Sequence, residues 1–259
     1  FLTGRKGYGI IISKFANGLT RKEKIMATFI DGKLTLTVAT YNIAGGSYCD
    51  VALKELAADV IASGADIVGL QEVDRFVPRS GNRDMLAILA GEAGFPYSFF
   101  VRAIDLKGGE YGTSILSKYP IEDSEVIPLD SPHVEGRSVG RTVINVCGIK
   151  VNYFNTHLAF ENDEAILYHF DQVAEILKKY DSYIITADYN TNNYALFNRF
   201  HGHRLVNNEE HPWATFPSSG VGIDNIVMTE DWSFGNVQIG PQGHSDHCLL
   251  SATLEKQVR

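Results

Sequence analysis

The stretch at residues 183–190 places the strongest constraint on how this chain can fold. Residues 183–186 are β-branched or aromatic, which predicts a short buried strand. The run then breaks into the carboxylate Asp188 and, two places later, the carboxamide Asn190. Since side chains two apart on an extended segment share a face, we expect both groups to lie together at the strand end. An acceptor that can hold or deprotonate a water, beside a neutral donor for an oxyanion, indicates a hydrolytic site.

The same stretch also has a plainer interpretation. Asp and Asn are common in turns, so Asp188 could simply begin a loop in which Asn190 or Thr191 caps a helix. The catalytic interpretation is favoured because polar side chains stand beside four other predicted strands. These side chains are Asn42, Glu72, His157 and the pair Asp246 and His247.

Glu72 and His157 show why polar residues next to apolar strands indicate a functional site. Glu72 follows the apolar run at residues 67–70, and a carboxylate there is costly unless a positive partner such as a metal ion compensates its charge. A lone histidine is more often a core residue than a catalytic one, yet His157 follows an apolar strand as Asn42 does. The strand predicted at residues 222–228 adds a buried carboxylate, Asp224.

Length and charge narrow the possible functions. The chain has 259 residues, 44% of them hydrophobic, and no linker or repeat divides it, so we expect one enzyme-sized domain. The formal net charge of -8 disfavours a protein that mainly binds a nucleic-acid backbone, and it suits a chain that collects divalent metal. Residues 1–25 form a basic extension of uncertain status, so the catalytic domain is predicted to span residues 26–259.

The cysteine pattern and the hydropathy bear on the compartment. Cys49, Cys147 and Cys248 lie far apart, so we expect buried free thiols and a reducing compartment such as the cytoplasm. The apolar run at residues 10–12 is too short for a secretory signal, while the opening residue Phe1 is compatible with an upstream segment. No apolar run approaches the length of a bilayer span, so we expect a soluble chain without a transmembrane segment. We also expect a monomer.

Hydrophobic periodicity predicts strands that alternate with amphipathic helices, which indicates a layered α/β architecture. Helices are expected at residues 50–63, with Asp50 as the N-cap, at 83–92 and at 164–179. Strands are expected at residues 34–40, 66–70, 97–101, 114–117, 142–147, 150–155, 183–186, 222–228 and 248–254. The strands at 142–147 and 150–155 are expected to form a hairpin, and a polar loop with Arg137 and Arg141 precedes it. Residues 190–217 are predicted to face the substrate, with a short helix at 195–200.

Taken in chain order, the motifs of this sequence resemble one family. The motifs are Thr40-Tyr41-Asn42-Ile43, Leu70-Gln71-Glu72-Val73, Tyr111-Gly112 with Ile115-Leu116-Ser117-Lys118-Tyr119-Pro120, Asn155-Thr156-His157-Leu158, Ala187-Asp188-Tyr189-Asn190, Ile223-Asp224-Asn225-Ile226 and Ser245-Asp246-His247. They are similar to those of the endonuclease/exonuclease/phosphatase superfamily, the deoxyribonuclease-like metal-dependent phosphoesterases, from Leu34 to Leu254. Ala187 and Tyr189 depart from the glycine and phenylalanine that are usual there, but neither change removes a chemical group.

The resemblance implies a four-layer α/β sandwich, in which two mixed β-sheets pack face to face and helices flank them. It also implies Mg²⁺ or Mn²⁺ as the cofactor, held by Glu72 with Asn42 and Asp246, since these hard ions prefer oxygen ligands. Tyr111 and Arg141 are candidates for contact with the substrate phosphate. Tyr111 has the alternative role of an aromatic cover on the edge of the sheet.

The resemblance assigns catalytic roles to five further side chains. Asp188 would orient and deprotonate the attacking water. Asn190 and His157 would bind the oxygens on phosphorus, and His247, steered by a hydrogen bond to Asp224, would act on the phosphate. A carboxylate that fixes the tautomer of an imidazole is the general logic of such a pair.

Three functions remain open from the sequence. The first is a divalent-metal-dependent phosphoesterase that hydrolyses a phosphodiester or phosphomonoester, in a soluble or lipid-headgroup substrate, by in-line attack of an Asp-activated water. The second is a nuclease that acts on DNA or RNA with the same site, which the acidic net charge disfavours. The third is an inactive binding module of the same fold, which the presence of all the principal side chains disfavours. A basic groove around Asp188 would support the nuclease, and a closed pocket would support a small substrate.

Overall fold

The computed structural model describes residues 29–30, 32–45 and 53–258, and this part of the chain forms thirteen strands and three α-helices. The strands are β1 (Phe29–Ile30), β2 (Lys33–Asn42), β3 (Ile67–Arg75), β4 (Tyr97–Leu106), β5 (Gly109–Ser117), β6 (Ile121–Leu129), β7 (Arg137–Val146), β8 (Ile149–His157), β9 (Ile184–Asp188), β10 (His203–Leu205), β11 (Asp224–Thr229), β12 (Trp232–Ile239) and β13 (Leu250–Gln257). The α-helices are α1 (Leu53–Ala62), α2 (Met85–Ala93) and α3 (Asp163–Leu177), and short 3₁₀ helices occupy Pro78–Ser80 and Tyr194–Arg199.

The strands form two mixed sheets. Sheet A has the order β12-β13-β2-β3-β5-β4, with β1 paired to β2, and sheet B has the order β10-β11-β9-β8-β7-β6. The pairs β2–β3 and β8–β9 are parallel, and the other pairs are antiparallel. Each parallel pair is connected through a helix, α1 or α3, as a crossover between parallel strands requires.

Three apolar clusters lie between four layers, which are the helices α1 and α2, sheet A, sheet B and the helix α3. Residues of α1 and α2, such as Leu56 and Leu89, pack on the outer face of sheet A. Leu36 and Ile226 belong to the cluster between the two sheets, and Phe170 of α3 packs on the outer face of sheet B. The four-layer α/β sandwich predicted from the motifs is therefore confirmed.

Strand alternation decides which side chains face the space between the sheets. On β2, Leu36 lies in the cluster between the sheets, and the same alternation leads on to Asn42 at the strand end. On β9, Ile184 lies in that cluster, and the alternation leads to Asp188. The layer between the sheets is therefore apolar through most of its length and polar at one end.

The predicted helices are confirmed, with small shifts at their ends. Asp84 caps α2 by accepting from the backbone N–H of Ala87 at 3.0 Å, and Gly94 ends the helix at a φ of 73°. Asn162 caps α3 in the same way. Asp50, the expected N-cap of the first helix, lies outside the described residues.

Part of the strand prediction was wrong. The sequence analysis missed β6 and β12, which lie at sheet edges and are largely exposed, so their residues lack the alternation that identifies a strand. It also missed β10, which has only 3 residues. Arg137 and Arg141, expected in a polar loop, lie within β7, where burial on both faces again removes the alternation.

The prediction of buried free thiols is confirmed for one of the two described cysteines. Cys248 is buried and free, as predicted, whereas Cys147 is free but exposed. Cys147 lies in the tight connection between β7 and β8 with a φ of 56°, and a turn of this kind projects its side chain outward. Cys49 and the basic segment 1–25 fall outside the described residues. In the part of the chain that is described, no helix combines the length and the hydropathy that a bilayer span needs.

Candidate active site

Three neighbouring strands of sheet B carry polar side chains at the same edge, where β8 and β9 end and β11 begins. The parallel pairing of β8 with β9 sets His157 beside Asp188, and the antiparallel pairing of β9 with β11 sets Asp224 beside Asp188 from the other side. Sheet A contributes Asn42, at the end of β2, whose Nδ2 donates to Asp188 Oδ2 at 2.9 Å. All four side chains are buried, and we call them, together with His247, the Asp188 cluster.

Asp188 lies at the centre of the cluster and is 1% exposed. Its Oδ2 lies 3.5 Å from His157 Nε2 and 3.6 Å from His247 Nε2. Burial, followed by the negative charge of Asp224, raises the pKa of Asp188 to about 7, although the charge of His247 opposes this. A carboxylate with such a pKa can take up a proton near neutral pH, which is the property required of a general base.

His247 carries a positive charge next to this carboxylate. Its Nδ1 lies 2.8 Å from Asp224 Oδ2, so Nδ1 donates to that oxygen and Nε2 is turned to Asp188. Burial alone lowers the pKa of His247, but the charge and hydrogen bond of Asp224, with the charges of Asp188 and Asp246, raise it to about 10. His247 is therefore an imidazolium at neutral pH, and the hydrogen bond to Asp224 that the sequence analysis predicted is present.

His157 is the second imidazole, and it is neutral. Its Nδ1 lies 3.2 Å from Arg137 Nη1. A guanidinium can only donate, so Nδ1 is the acceptor and the ring proton resides on Nε2, the atom that faces Asp188. Burial, then the charges of Arg137 and His247, lower the pKa of His157 well below its ordinary value. The cluster thus combines one neutral and one charged imidazole N–H.

Arg137, rather than the predicted Arg141, is the arginine at the cluster. Arg141 donates to Asp123 at 2.8 Å, and its guanidinium lies 5.3 Å from the centroid of the Tyr180 ring. Its register partner, Phe154, belongs to the apolar cluster on the outer face of sheet B. Arg141 therefore lies on the side of the sheet away from Asp188. Alternation puts Arg137 and Arg141, four residues apart on β7, on the same face, so it cannot tell the two arginines apart. Arg137 differs because it is the first residue of β7, close to the end of β8 where His157 lies.

Arg137 also has the donors that an anion needs. Its side chain is 3% exposed, and Nη1 lies 2.7 Å from Glu135 Oε1. Among the described residues its Nε has no hydrogen-bond partner. A buried N–H without an acceptor is costly, and a phosphate oxygen is the strongest kind of acceptor for a guanidinium.

Asn190 does not share an extended face with Asp188, contrary to the expectation. The backbone turns at Asn190, which has a φ of 54°. Its backbone N–H donates to Asp188 Oδ1 at 2.9 Å, and its Nδ2 donates to the carbonyl of Leu158 at 3.0 Å. Asp188 therefore begins the turn that follows β9, as the plainer interpretation held, and it also belongs to the polar cluster. The cap of the short helix after this turn is Asn193, not Asn190 or Thr191 as that interpretation expected. A contact of Asn190 with phosphate stays a prediction.

Glu72 reaches the site through an irregularity in β3. The pairing of β3 with β5 shifts between Leu70 and Val73, and Glu72 adopts a φ of 56°. In unbroken alternation Glu72 would share the face of Val68 and Leu70, which pack against α1 and α2. The bulge turns the carboxylate instead to Asn42, whose Nδ2 donates to Glu72 Oε1 at 3.2 Å. Glu72 is thus set within a strand, not at its end as expected.

The surroundings of Glu72 suit a cation. Burial raises the pKa of Glu72, the hydrogen bond from Asn42 opposes this, and the charge of the exposed Asp246 adds to it. A divalent ion bound by the two carboxylates would supply the missing positive charge. Asn42 turns its amide nitrogen to Glu72 and Asp188, and its Oδ1 accepts from the Ala44 N–H at 2.9 Å. A ligand role for Asn42 stays a prediction.

A second set of possible metal ligands overlaps the Asp188 cluster. One ligand atom each from Asp188, Asp224 and His247 lies within 4.8 Å of the others. The hydrogen bond between His247 and Asp224 engages two of these residues, whereas Asp224 Oδ1 has no hydrogen-bond partner within the described chain. The site therefore offers acidic oxygen ligands on both sides of Asp188.

The charges of Glu72 and Arg137 act on the phenol of Tyr111 in opposite directions. It is buried on β5, an interior strand of sheet A, so it does not cover the sheet edge. Burial, followed by the charge of Glu72, raises the pKa of Tyr111, and Arg137 opposes this through its charge and a hydrogen bond. Arg79 lies over its ring, 5.3 Å from the centroid. Tyr111 therefore stays a protonated phenol, which is compatible with the predicted phosphate contact.

An aromatic ring that the sequence analysis did not identify lies against His247. The ring centroids of Phe216 and His247 are 4.8 Å apart, and Phe216 is partly exposed. Phe216 belongs to the segment 190–217, which was expected to face the substrate but carries no readable motif. The segment does contain the short helix predicted there, at Tyr194–Arg199.

Comparison with known proteins identifies related sequences and folds. A model described as the Endonuclease/Exonuclease/phosphatase family matches residues 39–247. No curated protein matches the chain in sequence. Among solved structures, an endonuclease/exonuclease/phosphatase from Beutenbergia cavernae DSM 12333 superposes with a TM-score of 0.74 at 21% identity, over 86% of this chain and 72% of that one.

Two other similar structures carry more specific names. Sphingomyelinase C from Streptomyces griseocarneus has a TM-score of 0.62 at 17% identity, over 85% of this chain and 99% of that one. The mannosyl-6-phosphatase of Bacteroides thetaiotaomicron VPI-5482 has a TM-score of 0.62 at 16% identity, over 85% of this chain and 99% of that one. At these identities the similarity shows the fold alone.

Proposed function

Since the chain belongs to the endonuclease/exonuclease/phosphatase family, we propose that it is a divalent-metal-dependent phosphoesterase, in which Asp188 activates the attacking water. The substrate is a phosphodiester or phosphomonoester. The observation that carries the proposal is the position of Asp188 between two imidazole N–H groups, 3.5 Å and 3.6 Å away. A base with a pKa of about 7 lies there beside donors suited to the oxygens on phosphorus.

Each residue of the Asp188 cluster has its own role in the proposed reaction. Asp188 takes the proton of the water as its oxygen attacks phosphorus. Negative charge then grows on the phosphoryl oxygens, and Nε2–H of His157 and Nε2–H of His247 donate to them. Arg137 adds a guanidinium N–H on the His157 side, and Asp224 holds His247 in its charged, oriented form.

The metal is proposed to lie on the sheet A side of the cluster. Glu72 and Asp246 would hold it, with Asn42 as the third predicted ligand. In-line attack breaks the bond between phosphorus and the leaving oxygen, and Mg²⁺ or Mn²⁺ held by these residues would stabilise the charge on that oxygen and polarise a phosphoryl oxygen. Asn42 connects the two halves of the site, because its Nδ2 donates to both Glu72 and Asp188.

The charges around the site favour a compact phosphate ester over duplex nucleic acid. Arg79 pairs with the buried Asp74 at 2.9 Å, and Arg137 pairs with Glu135. The loops that leave β8 and enter β11 expose carboxylates at residues 161, 209 and 210, and the first turn of α3 exposes two more at residues 163 and 164. The described loops therefore lack the unpaired basic stripe that a nucleic-acid backbone requires.

A substrate panel on metal-free protein tests the proposal. We expect no turnover of bis(p-nitrophenyl) phosphate or p-nitrophenyl phosphate in excess chelator, and recovery with Mg²⁺ or Mn²⁺ but less with Ca²⁺. Sphingomyelin, sugar phosphates, inositol phosphates, cyclic dinucleotides and single-stranded and duplex DNA complete the panel, with the compact esters expected to be the better substrates. Full hydrolysis in chelator would contradict the metal dependence, and a preference for duplex DNA would favour the nuclease alternative.

A matched pair of variants controls for contaminating phosphatases. Asp188→Asn should abolish most of the activity in the same preparation. Tyr153→Phe should retain it, because Tyr153 is buried between the sheets and its hydroxyl bonds to Thr186, away from the Asp188 cluster.

A further inference from the structure

The bulge that presents Glu72 is held by a side chain from the opposite sheet. Asn155 of β8 is fully buried. Its Nδ2 donates to the carbonyl of Leu70 and to the carbonyl of Ser114, each at 2.9 Å. Leu70 and Ser114 are the last register partners of β3 and β5 before the pairing shifts. The carboxamide therefore ties both strands together at the point where their regular ladder stops.

The oxygen of the same carboxamide is equally engaged. Gln71 Nε2 donates to Asn155 Oδ1 at 2.8 Å, and Thr186 Oγ1 donates to it at 3.0 Å. Gln71 directly precedes Glu72 in the chain. Asn155 thus contacts both residues that lead into the bulge, while Thr186 fixes it to β9 of its own sheet.

The backbone of β3 is shaped to admit this side chain. A Cβ at Gly69 would lie 2.4 Å from Asn155 Oδ1 and 2.1 Å from Thr186 Oγ1. Both distances are far shorter than any real contact, so a residue larger than glycine would expel the carboxamide. The absence of a side chain at Gly69 is a second observation, independent of the hydrogen bonds, that the space is fitted to Asn155.

We propose that Asn155 is a positioning residue that sets the metal affinity of the site by holding Glu72 in its strained, inward-turned conformation. The left-handed φ of Glu72 is unfavourable for a residue with a side chain, and it persists only where the surroundings fix it. Only a carboxamide supplies two donors for the carbonyls and an acceptor for Gln71 and Thr186 together. The inference rests on the proposed function, because it takes Glu72 as a metal ligand.

Direct titration with Mn²⁺ tests this role without any substrate. We expect Asn155→Ala to raise the Kd for Mn²⁺ by about 10- to 100-fold, the usual effect of removing a group that orients a ligand. Tyr153→Phe is the matched control, since it removes one bond from the same buried layer, to Thr186, and leaves the bulge intact. Its Mn²⁺ affinity should equal that of the unmodified chain, while thermal melting reports any loss of stability in both variants.

The outcomes separate the positioning role from the proposed function. An Asn155→Ala protein that melts earlier but binds Mn²⁺ as the unmodified chain does would overturn the positioning role, provided that Glu72→Gln weakens binding. If Glu72→Gln leaves Mn²⁺ binding unchanged, the ligand role of Glu72 fails instead. Should Asn155→Ala not fold, Asn155→Ser leaves room for a water in the vacated space, and the same two results apply to it.

Discussion

The two sheets bring their polar groups to the candidate active site by different means. In sheet B, His157, Asp188 and Asp224 lie side by side because ordinary register places them opposite one another at strand ends. In sheet A, Glu72 reaches the site only because a bulge interrupts β3 and its backbone takes a φ of 56°. Asn42 spans the gap between the two arrangements.

The difference teaches that the two halves of the site depend on different interactions. The sheet B group follows from strand pairing along the whole sheet, so a local change leaves its geometry intact. The position of Glu72 depends on a few contacts around one bulge, so it is sensitive to substitutions that do not touch the site. We expect variants in sheet B to affect the chemical step and variants in sheet A to affect metal binding.

The largest effect is expected for Asp188→Asn. The substitution keeps the shape and the hydrogen-bonding reach but removes the base, so kcat should fall by on the order of 10² to 10⁴. Mn²⁺ affinity, measured by calorimetry, should change little, since Glu72 is proposed as the principal ligand from sheet A. A variant that melts earlier yet turns over almost normally would assign Asp188 a structural role alone.

Glu72→Gln should show the opposite pattern. Loss of the ligand charge should weaken Mn²⁺ binding by at least about 10-fold, while the thermal midpoint stays close to that of the unmodified chain. The metal concentration that gives half-maximal activity should rise by the same factor. An unchanged metal titration at equal stability would count against Glu72 as a ligand.

The two arginines of β7 offer a comparison inside sheet B. Arg137→Lys should raise KM for a phosphate ester by on the order of 10-fold, since a charge-assisted hydrogen bond from a planar guanidinium is lost. Arg141→Lys is the control and should leave KM unchanged, because Arg141 bonds to Asp123 away from the cluster. An equal effect of the two substitutions would contradict the assignment of Arg137.

The sequence predicted the sheet B half of the site better than the sheet A half. Asp188 and His157 end apolar runs, so periodicity alone located them, and their family motifs agreed. The bulge at Glu72 leaves no mark in the hydrophobic pattern, because Val68, Leu70 and Val73 are apolar on both sides of it. Its consequence, a carboxylate turned from the helices to Asn42, required the structure.

Residues that act through long-range contacts were also beyond the sequence analysis. Arg137 and Phe216 lie far in the chain from the partners that place them at the site, and neither stands in a periodic run. The fold class was predictable because it depends on many alternating residues at once. The contact of Arg137 with His157, by contrast, depends on where a single strand, β7, begins.

The smallest effect concerns the pH dependence of stability in the metal-free protein. The folded state raises the pKa of His247 from 6.5 to about 10, so it binds a proton that the unfolded chain releases above 6.5. Stability should therefore be highest at the lower end of this window and fall as pH rises from about 6.5 to 10, by on the order of 1 kcal/mol or more. Chemical denaturation in chelator at several pH values measures this slope. His247→Gln should flatten it, and an equal slope in both proteins would contradict the charged state of His247.

The most direct test of the account is a double-mutant cycle on kcat with Asp188→Asn and His247→Ala at saturating Mn²⁺. Both residues are assigned to one transition state, so each single variant should lose on the order of 10² to 10⁴, and the double variant should lose much less than the product of the two losses. Losses that multiply fully would show that the residues act independently. Such a result would contradict the claim that Asp188 and His247 form one catalytic unit.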